Sequence, residues 1–277
     1  MLRKLNEFIQ PVYFFCRSRA AFGFVQQPKN VNKKRSILTN AKLHCGKKYL
    51  LNIDLKDFFH QISRIRVTGI FHAEPFCFNT ELSSFLSELT TYHDRLPMGS
   101  PTSPSLSNFA TRELDEALLT YSTQEGLLFS RYVDDLTFSS NKPISDIQYY
   151  TLQDIVGKNG FSINMDKTRY MNDNDEKTVT GLILKERPVV PAFFLKDLED
   201  NINRLKHVNE FSSVLKSPAR EEGIQQFGDH IKGKLRFLQM VYGQHHPIVT
   251  NMNRLFQQAY NTNLFTESFS WNNFPYS

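Results

Sequence analysis

The stretch Phe129-Ser-Arg-Tyr-Val-Asp-Asp-Leu-Thr-Phe138 constrains this chain more than any other. Two runs rich in aromatic and β-branched residues flank adjacent acids, Asp134 and Asp135, which predicts a β-hairpin with two carboxylates at its tip. Carboxylates beside apolar strands are costly to desolvate. A hard divalent cation with oxygen ligands would offset their repulsion. Asp is also a common turn residue, so these ten residues leave an ordinary turn and a metal site both open.

A second stretch narrows the choice. Tyr49, Leu51, Ile53 and Leu55 alternate onto one face of a strand, leaving Asn52 and Asp54 on the other. Asp54 therefore emerges at the end of a buried strand, and Asp57, Phe58 and Phe59 follow as the chain turns away. Capping the next helix is the competing role for such an acid. Upstream, residues 2–16 have helical spacing bent at Pro11, and Ala20–Val25 reads as a short strand or loop anchor. Asn40–His44 lies in a capped turn or short helix, where a lone histidine is usually a hydrogen-bonded structural residue.

Downstream, Leu96–Asn108 is a loop becoming a helix, with Ser103 placed as N-cap and Pro104 as the first helical residue. Gly99 ahead of it permits close backbone approach. Leu106, Phe109, Ala110, Leu114, Ala117 and Leu118 mark one helical face. Ser145 and Gln148 spell a capping box for a helix running to Gly157 or Gly160. Strands are expected over Phe161–Thr168 and Thr178–Leu184. The resulting order predicts an α+β layer, with helices on one face of an antiparallel sheet. Pro188 and Pro191 suggest a boundary. Beyond it Leu195, Leu198, Ile202, Leu205 and Val208, then Ile231, Leu235, Leu238 and Val241, predict a small helical subdomain decorated by Lys232 and Lys234 among other basic residues.

Charge adds a partner class. Residues 1–50 hold eleven Lys/Arg against one acid, so their surplus exceeds the net +5 of the chain and leaves the rest acidic. A basic segment of this kind suits a polyanion, most simply nucleic acid, although a solvated basic face is the commoner use of charge runs. Cys16, Cys45 and Cys77 have neither zinc spacing nor a disulfide framework, which fits a reducing cytoplasm. No apolar run of about 18 residues exists, so no membrane span is expected. Gln10, Pro11, Arg17 and Arg19 spoil the N-terminal imitation of a signal peptide.

Asp54 at a strand end, a Gly-containing loop entering a helix and Tyr132-Val-Asp-Asp135 on a hairpin form an ordered set that resembles the palm of a reverse transcriptase. Asn40-Ala-Lys-Leu-His44 and Val179-Thr-Gly181 resemble two signatures of bacterial retron reverse transcriptases, and Ile163–Thr168 resembles the palm motif between them. Each motif is weak alone, and together, in order, they cover roughly residues 20–185. The resemblance implies a right-hand polymerase. Fingers and palm would occupy residues 1–187, with the fingers mainly at 1–48 and 60–95, and a helical thumb residues 188–277.

The resemblance further implies an RNA-directed DNA polymerase using two Mg²⁺, or Mn²⁺ instead. Asp54, Leu55, Asp134 and Asp135 would be metal ligands, and Lys167 would meet the triphosphate or protonate the pyrophosphate. Asp57, Phe58, Phe59, Met98 and Gly99 would bind the nucleotide, with Phe59 as the ring that excludes a 2′-hydroxyl. Asn40, His44, Lys47, Lys48, Val179, Thr180, Gly181, Lys232 and Lys234 would bind RNA or primer. Implied partners are dNTPs, a structured noncoding RNA serving as template and primer, its DNA product, an effector protein in antiphage defence and a larger ribonucleoprotein assembly. Family members also carry a triphosphate-gripping Arg ahead of the region matching Leu2–Ile9. Here Lys33, Lys34 or Arg35 substitutes, the fingers are reduced, or the chain is incomplete. The competing expectations are another bacterial reverse transcriptase class, including an intron maturase, and a weakly catalytic RNA-binding assembly subunit.

Overall fold

Strand β1 (Tyr49–Leu55) anchors the core of residues 1–188, because its apolar face, Leu51, Ile53 and Leu55, is fully buried. The structure, a computed structural model, describes residues 1–27, 34–212 and 218–260. Two compact units divide it at Met1–Pro188 and Val189–Ser277.

In the first unit, α1 (Leu2–Cys16) contains Pro11 and buries Ile9 and Tyr13, and α2 (Ile37–Leu43) starts from a Ser36–Thr39 capping box. Beyond β1 and a 3₁₀ turn (Phe58–Gln61), α3 (Arg64–His72) packs on α4 (Thr80–Thr90). Next come α5 (Ser103–Ala110), α6 (Arg112–Gln124), β2 (Leu128–Tyr132), β3 (Asp135–Ser140), α7 (Asp146–Lys158) and β4 (Ile163–Met171). Sheet order is β2-β3-β1-β4, antiparallel throughout. The core gathers Leu51, Ile53 and Leu136 from the sheet with Leu106, Leu114 and Leu118 from α5 and α6.

Three local expectations shift. The cap of α5 is Thr102 rather than Ser103, whose hydroxyl instead donates to the Pro97 carbonyl at 2.7 Å. Thr111 interrupts the long helical face between α5 and α6, and β4 runs on to Met171. Ser145 and Gln148 do form a capping box.

A second, three-stranded sheet contains β5 (Thr178–Val179) and β6 (Leu182–Leu184), joined by Thr180 and Gly181 at φ of 48° and 79°. Positive φ at both central residues is the primed turn that suits a tight hairpin. The second unit contains α8 (Ala192–Ser212), α9 (Pro218–Tyr242) and α10 (Pro247–Tyr260). Leu198, Ile202 and Leu205 are buried together with Ile231, Leu235, Leu238 and Val249, whereas Val208 is exposed. Among the described residues no helix is long and apolar enough to cross a membrane.

Candidate active site

Antiparallel pairing sets Asp54 of β1 opposite Asp135 of β3, and Asp134 sits in the two-residue turn between β2 and β3. Carboxylate oxygens of Asp54, Asp134 and Asp135 lie within 4.8 Å of one another. The hairpin is tied to β1 where the Leu55 amide donates to the Asp134 carbonyl at 3.0 Å. Leu55 itself is buried, so only its main chain could serve a cation. Burial, and then the charge of Asp54, raises the Asp134 carboxyl above the usual range. Asp135 is pushed up to about 6 by desolvation first and then by Asp134 and Asp54. Three convergent carboxylates with two raised affinities for protons form an all-oxygen donor set that fits a hard divalent cation.

Lys167 reaches this cluster through an irregularity in β4. Asn52 pairs with Arg169 but Asp54 pairs with Asn164, so β4 uses more residues than β1 over the same span. Such a bulge re-aims side chains. Lys167 Nζ stands 3.2 Å from Asp54 Oδ1, with its own side chain 65% exposed. An ion pair that open adds little stability, so its interest lies in where it puts the ammonium.

The hairpin turn rests on a buried network that the motif reading missed. Arg131 grips Asp115 of α6 with two bonds, Nε to Oδ1 at 2.6 Å and the second at 2.8 Å to Oδ2, both side chains being fully buried. Its remaining nitrogen donates to the Val133 carbonyl at 3.0 Å and to Asn108 Oδ1 at 3.2 Å. Burial works against the Arg131 charge, and Asp115 more than offsets it. Residues 20–22 lie along β2, with Ala21 bridged in parallel to Arg131. Gly23 touches the turn so closely that a Cβ there would fall 2.6 Å from Val133 Cγ2 and 2.8 Å from its amide nitrogen. Val133 holds φ at 63°, rare for a β-branched residue. One signal was available: Asp115 lies between Leu114 and Leu118, on a helix face otherwise read as core.

The nucleotide candidates separate. Met98 is 72% exposed, and Gly99 takes φ of 82°, which only glycine adopts freely. Asp57 is an exposed left-handed residue opening the 3₁₀ turn. Phe59 is half-buried. Phe58 is corrected: it is 4% exposed and stacks on Phe161 at 5.9 Å, so it is core and cannot face a nucleotide.

The RNA candidates need a larger correction. Asn40, His44 and Val179 are buried, so none of them offers a side chain to RNA. His44 bonds Ser139 of β3 at 2.7 Å through Nδ1 and Ser130 of β2 at 2.8 Å through Nε2. Burial, then Lys47, depresses it to about 4. Thr180 Oγ1 donates to the Ile37 carbonyl of α2 at 3.3 Å, and Asn52 Nδ2 to the Thr178 carbonyl at 3.0 Å. The two distant signatures thus form one joint around α2, β2, β3 and the β5–β6 turn. Gly181 and Lys48 are exposed, Lys47 is half-buried and Lys48 lies 3.5 Å from Asp173. In the second unit Lys232 pairs with Asp229 at 2.9 Å and Lys234 with Asp197. Arg35 is stacked over Phe22 at 4.3 Å and donates to the Arg19 carbonyl, Lys34 is exposed, and Lys33 lies outside the described residues.

The reverse transcriptase (RNA-dependent DNA polymerase) family matches residues 1–184. The chain belongs to this family. Among curated reverse transcriptases it is similar to that of retron Ec86 from Escherichia coli, 37% identical over 57% of this chain and 49% of the relative. It is also similar to that of retron Mx162 from Myxococcus xanthus, 31% identical over 80% of this chain and 49% of the relative. The chain spans about half the length of these relatives. A telomerase structure from Candida albicans, solved with a fragment of telomeric RNA, shares the fold with a TM-score of 0.50 at 11% identity, over 93% of this chain and 56% of that one. The α+β architecture with an antiparallel sheet is accordingly that of a reverse transcriptase.

Proposed function

We propose that this reverse transcriptase is an RNA-directed DNA polymerase of retron type, copying a structured noncoding RNA into satellite DNA. The observation that carries the reading is the convergence of Asp54, Asp134 and Asp135 from two separate segments onto one point. Folding alone gains nothing from three clustered acids, whereas strand extension needs them. Residues 1–187 act as fingers and palm and 188–277 as thumb in this reading. Asp54 and Asp134 would hold the cations, with the Leu55 main chain as a further ligand and Asp135 adding negative potential. Two Mg²⁺, or Mn²⁺, when bound acidify the attacking hydroxyl and neutralise the leaving pyrophosphate.

The chain's own groups supply the rest. Lys167, mostly exposed beside Asp54, meets the triphosphate or passes a proton to the leaving group. Phe59 packs against the sugar of a dNTP, while Met98 and Gly99 border the templating pair. The joint of Asn40, His44 and Val179 acts by shaping the surface on which Lys47, Lys48, Thr180 and Gly181 meet RNA. Cytoplasmic work in antiphage defence with an effector protein, within a ribonucleoprotein, completes the retron reading.

Primer extension with purified protein, Mg²⁺ and dNTPs tests it. Synthesis should exceed that of an Asp134→Ala, Asp135→Ala double variant by at least about 100-fold, since losing even the groups that orient metal ligands costs about 10- to 100-fold. Equal synthesis by the two proteins would sink the polymerase reading. Sequencing of copurifying nucleic acid should return a branched RNA–DNA species, and its absence would sink the retron assignment alone.

A further inference from the structure

We propose that Phe24 is a sugar-discriminating residue, the ring that backs Phe59 and fixes where it meets the incoming nucleotide. The proposal rests on the reading of Phe59 as the ring that excludes a 2′-hydroxyl. Phe24 holds φ at 55°, a left-handed conformation that bulky residues seldom keep unless their surroundings impose it. Here the surroundings are identifiable. Gly23 is pressed against Val133 of the turn that carries Asp134. Asn108 Nδ2 lies 3.0 Å from the Gly23 carbonyl and 3.4 Å from that of Phe24, donating to both, while its Oδ1 accepts from Arg131.

With the backbone so held, the Phe24 ring does not fold into the core. It stays 42% exposed, with its centroid 6.3 Å from that of Phe59. Phe59 lies 5.4 Å from Phe58, and Phe58 stacks on Phe161. Four rings therefore run from solvent to core, each within aromatic contact distance of the next. Phe59 is held from inside by Phe58 and from outside by Phe24. Strained backbone, a dedicated side-chain amide and an exposed ring together are more than packing requires. The same Asn108–Arg131–Asp115 chain also holds the Asp134 turn, so the metal site and the sugar wall share one support.

The test compares incorporation of dNTPs and rNTPs on one defined template–primer by the native protein, Phe24→Ala, Phe24→Tyr and Phe59→Ala, with thermal midpoints recorded for each. Phe24→Ala should raise the rNTP-to-dNTP ratio of kcat/KM by about three- to tenfold, the weight of one ring contact. The change should fall mainly on KM, and Phe24→Tyr should stay near native. Phe59→Ala should raise the ratio further. If Phe59→Ala shifts the ratio and Phe24→Ala does not, the inference is overturned and the role of Phe59 stands. Equal loss with both sugars in Phe24→Ala makes the ring a packing residue and also overturns it. An unchanged ratio in both variants removes the Phe59 reading together with this one.

Discussion

His44 shows how much one buried side chain can decide. A neutral imidazole between Ser130 and Ser139 uses both nitrogens, one as donor and one as acceptor, and protonation would leave two donors in a desolvated site. Its folded value of about 4 lies below the ordinary 6.5. The unfolded chain therefore binds the proton more readily between those values, and stability falls as pH drops through that window. The contribution is complete above pH 6.5 and amounts to about 3 kcal/mol in all. Subtracting a His44→Gln variant's unfolding free energy from the native value at each pH isolates this slope from the opposing carboxylates. A difference that stays flat from pH 7 to 4 would contradict the buried-histidine account. Asp135 makes the converse case, because its charge is unfavourable in the folded, ion-free protein. Asp135→Asn should raise the thermal midpoint in chelator at pH 8 while lowering synthesis, and a midpoint that drops instead would refute it.

At the scale of the element, the β2–β3 hairpin is held by charge as well as by its ladder. Removing one partner of a fully buried ion pair leaves the other uncompensated, so Arg131→Met and Asp115→Leu should each cost about 3–5 kcal/mol in chemical unfolding. The double variant should recover much of that loss, yet synthesis should stay low because Val133 and Asn108 lose their donor. Additive losses would show that the pair is not a unit. Gly23→Ala probes the same turn from the other side, where a new methyl meets backbone and costs about 1–3 kcal/mol.

Much of this element was legible in sequence. Alternation placed Asp54 on the strand, and turn chemistry placed Asp134. Periodicity marks Asp115 as a charge on a core face but cannot reveal that Arg131 points inward to meet it, because nothing in the strand pattern of β2 names that partner. It also could not separate Phe58 from Phe59, since both are aromatic and only the geometry of the 3₁₀ turn decides which is covered. The resemblance assigns Asn40 and His44 to RNA, whereas both are buried, and His44 spends its ring nitrogens on Ser130 and Ser139.

At the scale of the whole molecule, charge is distributed so that the first fifty residues carry more than the entire net +5. Structure adds where part of that surplus sits. Lys42 lies in the last turn of α2, and Lys47 and Lys48 lie on the link into β1, beside the joint built from His44 and the β5–β6 turn. Lys48 and Asp173 are both about half-exposed, so their pair contributes little and leaves the ammonium available to a phosphate. Each Lys that neutralises a phosphate releases counterions, and the logarithm of affinity then falls against the logarithm of salt by about 0.7 to 0.9 per contact. A Lys42→Gln, Lys47→Gln, Lys48→Gln variant should therefore lower the salt slope of binding to a structured RNA by about 2 to 3. Its thermal midpoint should stay close to native, since all three charges are at the surface or its edge. Asp134→Asn should leave that slope unchanged, because a carboxylate at the β2–β3 turn makes no phosphate contact without a cation. An unaltered slope in the triple variant would move the RNA surface elsewhere on the molecule and reduce the basic segment to a solvated face.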